Sequence, residues 1–354
     1  MRTSDQSSIL KTPVLITGAA GFIGFHTALR LLDEGRTVVG VDNLNDYYDV
    51  ALKKDRLSLL QQATNFHFYQ LDISDHEAMA ALWRDSGPFT EVIHLAAQPG
   101  VRYSLTNPYV YIQSNCMGHV TVLEMCRHTP GFKHLVYASS SSVYGKNEKL
   151  PYSVQDDVNR PISLYAATKR ADELFSYTYS HLYGIPQTGL RFFTVYGPWG
   201  RPDMSPFIFA NAISKGEPVA VFNHGQMQRD FTYIDDIVTG IVAVLEKPPT
   251  GNIPQRVLNL GNTQGEPLMG FIQAIERSLR LGARIELKDM QPGDVKDTCA
   301  DITETTALID FRPKTSIDEG VPRFIEWFKS YYMGSGTSHY PTVNDKSGVA
   351  NAHT

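Results

Sequence analysis

Cysteine is scarce in this 354-residue chain: Cys116, Cys126 and Cys299 are scattered and odd in number. No C-x-x-C pair or zinc-type spacing occurs, which argues against a disulfide framework and fits a reducing, cytoplasmic compartment. Charged residues are only 19%, the net charge is −5 and there is no basic stripe, so nucleic acid is not expected as a partner. Long apolar runs are missing. The first, Val14-Leu-Ile16, is too short to export or span, and residues 1–11 are polar, so neither a signal peptide nor a membrane partner is expected. No cluster of His, Cys and carboxylates has ligand spacing, and no metal is expected. Internal repeats and low-complexity blocks are also lacking.

The composition that remains is an ordinary globular one, 42% hydrophobic, with length enough for one large or two modest domains. Apolar strands are expected at Val14–Thr17, 37–41, Phe66–Gln70, 91–95, 134–138 and 188–192. Helical stretches lie between them at 22–34, about 48–61 and about 75–84, with longer amphipathic ones at 109–127 and 163–183. This alternation calls for an α/β fold, a doubly wound parallel sheet covered on both faces. After Tyr196-Gly-Pro198 the pattern turns irregular and proline-punctuated, which predicts a smaller C-terminal α/β region over the strand ends. Residues 12–195 should mainly bind a dinucleotide. Residues 196–333 should mainly bind substrate while crossing back to the sheet, and 1–11 and 334–354 should be flexible tails.

Gly18, Gly21 and Gly24 form G-x-x-G-x-x-G directly after a strand, with Phe22 and Ile23 opening the helix that follows. The first glycine permits the tight turn, the second lets backbone approach a pyrophosphate, and the third lets helix and strand pack closely. The helix then points its positive end at the phosphates. Asp42, at the end of the next strand beside Asn43, can accept from both adenosine ribose hydroxyls and repel a 2′-phosphate, which selects NAD. Its alternative role is to start a turn with Asn43. Asp72, with Ile73 beside it, suits either an adenine contact or a helix cap. Leu95, Ala96 and Ala97 end a strand with residues small enough to pass a dinucleotide.

Tyr165 and Lys169, four apart in Pro161-Ile-Ser-Leu-Tyr-Ala-Ala-Thr-Lys169, share a helix face. A tyrosine ordinarily titrates near ~10, too high for a base at neutral pH. An ammonium one turn away and a positive nicotinamide ring both favour the phenolate. Tyr165 is therefore the candidate base and Lys169 its tuner, against the plainer reading of a packed tyrosine and a solvated lysine. Four consecutive serines, Ser139 to Ser142, end the fifth strand, where ligands of such sheets bind. One can relay a proton to Tyr165; otherwise the loop uses them to satisfy its own backbone.

These elements resemble the extended short-chain dehydrogenase/reductase family from about residue 14 to 328, and within it the nucleotide-sugar epimerases of the bacterial UDP-glucuronate branch. The most specific stretches are 18–24, Val41-Asp-Asn-Leu-Asn-Asp-Tyr-Tyr48, His94-Leu-Ala-Ala-Gln-Pro-Gly-Val-Arg102, 137–145, 165–169, 191–197 and Gln228-Arg-Asp-Phe-Thr-Tyr-Ile-Asp-Asp236. The resemblance implies a Rossmann fold, bound NAD and a UDP-sugar substrate. It implies interconversion of UDP-glucuronate and UDP-galacturonate by transient oxidation at C4, rotation of the 4-keto sugar and re-reduction. It further implies that Ser140 bonds the C4 oxygen, and that Ser141, Ser142 and Thr194 hold the sugar carboxylate. Arg201 matches a substrate-loop arginine, Arg229 a pyrophosphate clamp, Asp294 a uridine-ribose contact, and Phe222 and Asn223 uracil-side residues. A homodimer is implied, with 109–127 and 163–183 pairing with their copies in a four-helix contact. Related dehydratases and decarboxylases carry a carboxylate where this chain has Ser142, which favours epimerisation. The alternatives are a UDP-glucuronate decarboxylase, another UDP-hexose 4-epimerase, or a non-catalytic NAD-binding sensor. Intact Tyr165, Lys169 and Ser140 argue against the last.

Overall fold

Short runs of aliphatic and β-branched residues build the centre of the molecule, here described by a computed structural model for residues 12–291 and 293–334. The strands are β1 (Val14–Thr17), β2 (Val38–Asp42), β3 (Phe66–Gln70), β4 (Glu91–His94), β5 (His134–Ser140) and β6 (Gln187–Phe192). With Gln255–Leu260 they form one seven-stranded sheet, ordered Gln255–Leu260, β6, β5, β4, β1, β2, β3. Every pairing is parallel. Both faces are covered. Val14 and Ile16 of β1 enter one apolar core and Leu15 the other, as the two-residue period of a strand requires.

The helices α1 (Phe22–Asp33), α2 (Val50–Leu60) and α3 (His76–Ser86) lie between the first four strands. Asp49 and Asp75 cap α2 and α3, accepting from Ala51 N and Ala78 N. Asp75 therefore takes the capping role that Asp72 was a candidate for. Most expected boundaries shift by only one or two residues. The expected helix 109–127 is built in three pieces, Pro108–Tyr111, a π-helical turn Ile112–Met117, and Gly118–Arg127. Gly118 there packs against the Ile73 side chain, whose end would have to move for a Cβ.

The crossing back to the sheet is made by Gln255–Leu260, which pairs with β6, while the helix Ile234–Leu245 packs on α1. Smaller strand pairs, Thr194–Tyr196 with Phe231–Tyr233 and Pro218–Val221 with Arg284–Leu287, hold the rest of the C-terminal region. The apolar core runs without interruption from Val14 to Phe328 through both parts. Arg56 of α2, fully buried, ties three segments together: it donates to Ala20 O, to the Tyr48 hydroxyl and to Trp199 O. Of the expected tails 1–11 and 334–354, all but Gly334 lie outside the described residues; Gly334, left-handed at φ 65°, closes the last helix, Ile317–Met333.

Candidate active site

Strand order reverses between β1 and β4, and there the chain leaves the sheet in opposite directions, opening a crevice at the strand ends. A cavity of about 670 Å³ occupies it, well within the ~300–1,000 Å³ of small-molecule sites. Gly18 has φ +74° and its amide donates to Val41 O at 2.7 Å. A Cβ on Gly18 would stand 2.7 Å from Ala96 N, and one on Gly24 would overlap Gly18 O. The turn is thus a cradle that only glycine fits. No side chain caps α1, whose first residues, Phe22 and Ile23, line the cavity with Gly21. Its leading amides are free for an anionic ligand.

Asp42 is buried beside this turn and accepts from Ala20 N at 3.2 Å and Leu44 N at 2.9 Å. Burial pushes its carboxyl up, while Lys53, these two amides and Arg56 oppose the rise. Lys53 is itself buried and donates to Asn45 O at 2.8 Å and Asn45 Oδ1 at 2.7 Å, fixing the loop after β2. Asp72 accepts from Ser74 and from Asn43 Nδ2, joining the ends of β2 and β3 at the cavity wall. Asn43, Ile73, Leu95, Ala96 and Ala97 line the same wall.

Tyr165 and Lys169 stand on the opposite wall, on the helix Leu164–Tyr183 capped by Ser163. Lys169 Nζ donates to Ala138 O at 2.9 Å and to Asp172 Oδ2 at 3.2 Å. Ser139 donates to Glu173 Oε1 at 2.7 Å, and Glu173 takes two further bonds from Arg191 at 2.8 and 2.9 Å. This network anchors the end of β5, so that Ser140, Ser141 and Ser142 meet the cavity near Tyr165. Ser140 also begins a tight turn, its hydroxyl accepting from Ser142 N. The edge of one ring packs on the other between Tyr111 and Tyr165, with centroids 6.1 Å apart.

Thr194, just past β6, and Arg201, Phe222, Arg229 and Asp294 of the C-terminal region supply the remaining wall. Arg229 and Asp294, expected to hold different parts of one ligand, bond each other at 2.9 Å. Arg201 grips Asp203 through two bonds of 3.0 and 2.5 Å, and Tyr47 donates to the same carboxylate at 3.0 Å. Asn223 is the expected site residue that does not line the cavity. Its φ is +48° and its amide donates to Gln226 O at 2.7 Å, so it serves a turn. Sequence reasoning gave no role to Tyr47, Lys53, Arg102, Asn115 or Asp203. Arg102 lies over the Phe222 ring at 5.5 Å, and both line the cavity. Asn115, in the π turn, bonds Gln98 on both sides and Thr168. Tyr47 and Arg102 lie within the 41–48 and 94–102 stretches, which is the signal the sequence offers; a π turn leaves none.

A parallel sheet with a glycine cradle at its switch point and a tyrosine–lysine helix across the crevice defines a dinucleotide-dependent enzyme of the Rossmann class. The chain belongs to the NAD dependent epimerase/dehydratase family, whose model matches residues 14–261. A probable UDP-glucuronate 4-epimerase of Rhizobium meliloti is 44% identical over 339 residues, 92% of this chain and 99% of that protein. UDP-glucuronate 4-epimerase 4 of Arabidopsis thaliana is 45% identical over 347 residues, 94% of this chain and 78% of that protein. The UDP-glucuronic acid 4-epimerase of Bacillus cereus, solved in complex with UDP-glucuronic acid and NAD, superposes with a TM-score of 0.83 at 33% identity, covering 90% of this chain and 100% of that one.

Gly24→Ala forces the helix start off the turn. Melting should show a loss of about 1–3 kcal/mol, and calorimetry should show weaker NAD binding. Parent-like values in both would remove the steric account of the cradle.

Proposed function

We propose that this chain interconverts UDP-glucuronate and UDP-galacturonate with NAD as its resident cofactor. The observation that carries the reading is the meeting, in one cavity, of the glycine cradle, Tyr165 with Lys169, and the hydroxyls of Ser140, Ser141, Ser142 and Thr194. The kinship with UDP-glucuronate 4-epimerases supports the substrate.

NAD, when bound, supplies a reversible hydride acceptor for the sugar carbinol. The cradle 18–24, Asp42, Asn43, Asp72, Ile73 and the small residues 95–97 would hold it. Tyr165 takes the O4 proton as C4 is oxidised and returns it on re-reduction, with Ser140 bridging to the oxygen. Lys169 favours the phenolate by its charge and offers its remaining N–H to the ribose. The 4-keto sugar turns about its diphosphate, so the other face is reduced. A 4-keto uronic acid is a β-keto acid and loses carbon dioxide readily. Neutral hydroxyls at 141, 142 and 194 can hold the carboxylate away from the alignment that cleavage needs. Arg229 and Arg201 carry the charge suited to diphosphate and carboxylate, Phe222 the apolar face for uracil, and Asp294 an acceptor for ribose. Residues 12–195 thus serve mainly the cofactor and 196–333 mainly the nucleotide sugar.

We also infer a homodimer. Leu105, Tyr109, Ile112 and Met117 are half or more exposed, as are Leu174, Tyr177 and Leu182 on the helix Leu164–Tyr183. An apolar stripe of this extent supports a four-helix contact with a second copy. A cytoplasmic location is supported by three free cysteines, and no helix among the described residues is long and apolar enough to cross a membrane.

Purified protein given UDP-glucuronate should yield a C4-epimer of unchanged mass by mass spectrometry and proton NMR. Loss of carbon dioxide would make it a decarboxylase, and no change with added NAD would sink the substrate assignment. Tyr165→Phe should lower turnover about 10²–10⁴-fold while binding NAD normally; parent-like turnover would refute the base. Asp42→Ala should erode the preference for NAD over NADP by roughly tenfold, and an unchanged preference would count against the ribose contact. Sizing at low concentration should give a dimer that Leu174→Glu splits; a stable parent monomer would end that inference.

A further inference from the structure

The helix that presents Tyr165 and Lys169 carries a further charge that the proposed reaction leaves unused. Positions 165, 169 and 172 follow i, i+4, i+7 spacing and share one face. The Asp172 side chain is 2% exposed, and its Oδ2 accepts from Lys169 Nζ at 3.2 Å. Its Oδ1 is buried without a hydrogen-bond partner. The ammonium's other bond runs to Ala138 O, which leaves one N–H for the cavity that Lys169 lines.

The other groups facing Asp172 are neutral or already matched. Glu173, next on the helix, is bonded by Arg191, Arg170 and Ser139. Cys116, from the π turn, is pushed up to about 11 by burial and by Asp172. His119, from Gly118–Arg127, is held well below its usual range by burial, His94 and Lys169. His94, at the end of β4, is pushed down to about 3 by burial and Lys169. Tyr137, from β5, is pushed up by burial and Glu173. Lys169 is therefore the one cation beside Asp172 among the described residues that is not matched elsewhere. Burial pushes the Asp172 carboxyl up to about 7, with Lys169 opposing the rise and Glu173 adding to it.

We propose that Asp172 is a positioning residue: it holds the Lys169 ammonium in place and sets how much of its positive field reaches Tyr165. The proposal rests on reading Tyr165 as base and Lys169 as its tuner. Ionised, the carboxylate cancels part of that field; protonated, it leaves the field whole. Helix positions seven apart lie ~10 Å apart, where unit charges at an effective dielectric of ~20–40 displace a titration by roughly 0.5–1 pH unit. Because the Asp172 charge would act on Tyr165 through Lys169, the parent's loss of rate toward low pH should be broader than a single proton gives.

The test is kcat/KM for UDP-glucuronate across pH in the parent and in Asp172→Asn, with Tyr165→Phe alongside. In Asp172→Asn the acid limb should sharpen, with rates about three- to tenfold above the parent's toward neutral pH, where the parent's carboxylate is ionised, and converging with the parent's at the lowest pH, where it is protonated. Asp172→Ser removes the same charge and leaves room for water beside the ammonium; it should move the limb the same way should the asparagine variant fail to fold. An acid limb at the parent's pH, with turnover lowered equally at every pH, would make Asp172 a mechanical anchor only and overturn the proposal. Should Tyr165→Phe turn over like the parent, the base assignment falls and this role with it. Should Tyr165→Phe be inactive while the Asp172 variants leave the limb unmoved, this role alone falls.

Discussion

The contact between the turn after β1 and the end of β4 is the constraint on which the site depends. Gly18 sits so close to Ala96 that a methyl group would touch its amide. Two neighbouring strands can diverge to opposite faces and still leave a narrow slot only if backbone, not side chain, lines it. The same glycine bonds Val41 O, which fixes the end of β2 and with it Asp42. Asp42 in turn accepts from Ala20 within the turn. One close approach therefore sets the cradle, the helix start behind it and the carboxylate beside it. Any side chain in the slot would disturb all three together.

The opposite wall is fixed by charge instead of contact distance. Lys169 reaches Ala138, Ser139 reaches Glu173, and Glu173 reaches Arg191 on β6. The helix Leu164–Tyr183 is thereby fastened to the C-terminal ends of two central strands, and the Tyr165 and Ser140 positions share one scaffold. The C-terminal wall is built differently. Its cations are paired within that wall, Arg229 with Asp294 and Arg201 with Asp203. Such pairs keep a partly desolvated guanidinium satisfied, and an arriving phosphate or carboxylate must compete with the resident acid. Selectivity for a ligand with several negative groups follows naturally from that competition.

The legible parts of this structure were those governed by local rules. The glycine spacing, the six strands that begin the sheet and the tyrosine–lysine helix follow from periodicity and turn chemistry, and the cavity gathers every expected site residue except Asn223. The seventh strand was hidden. Pro248, Pro249 and Pro254 precede it, and Asn259 interrupts its apolar run. That asparagine is fully buried, bonding Tyr144, Tyr152 and Asp301, a tertiary fact with no sequence signature. The π turn was hidden for a similar reason, since widening a helix by one residue leaves composition and spacing nearly unchanged. Tyr47 and Asp203 are 156 positions apart in the chain, so their bond could not be read from either neighbourhood.

Asp172 and Glu173 show why burial by itself does not determine a carboxylate's state. They are adjacent, equally buried and of like charge. Burial pushes both up, yet Glu173 ends below its ordinary range and Asp172 above. The difference is the number of donors. Arg191 gives Glu173 two parallel bonds, and Ser139 and Arg170 add one each. Asp172 has one ammonium at 3.2 Å and one oxygen with nothing to accept from. A charge-assisted bond contributes about 1.5–3 kcal/mol, so several offset the several kcal/mol that desolvating an ion costs, whereas one does not. Satisfying Asp172 as fully as Glu173 would need a second donor, and none bonds its Oδ1 among the described residues. The helix thus keeps a strongly stabilised anion that fastens it to the sheet and, one residue earlier and beside Lys169, a weakly stabilised carboxyl.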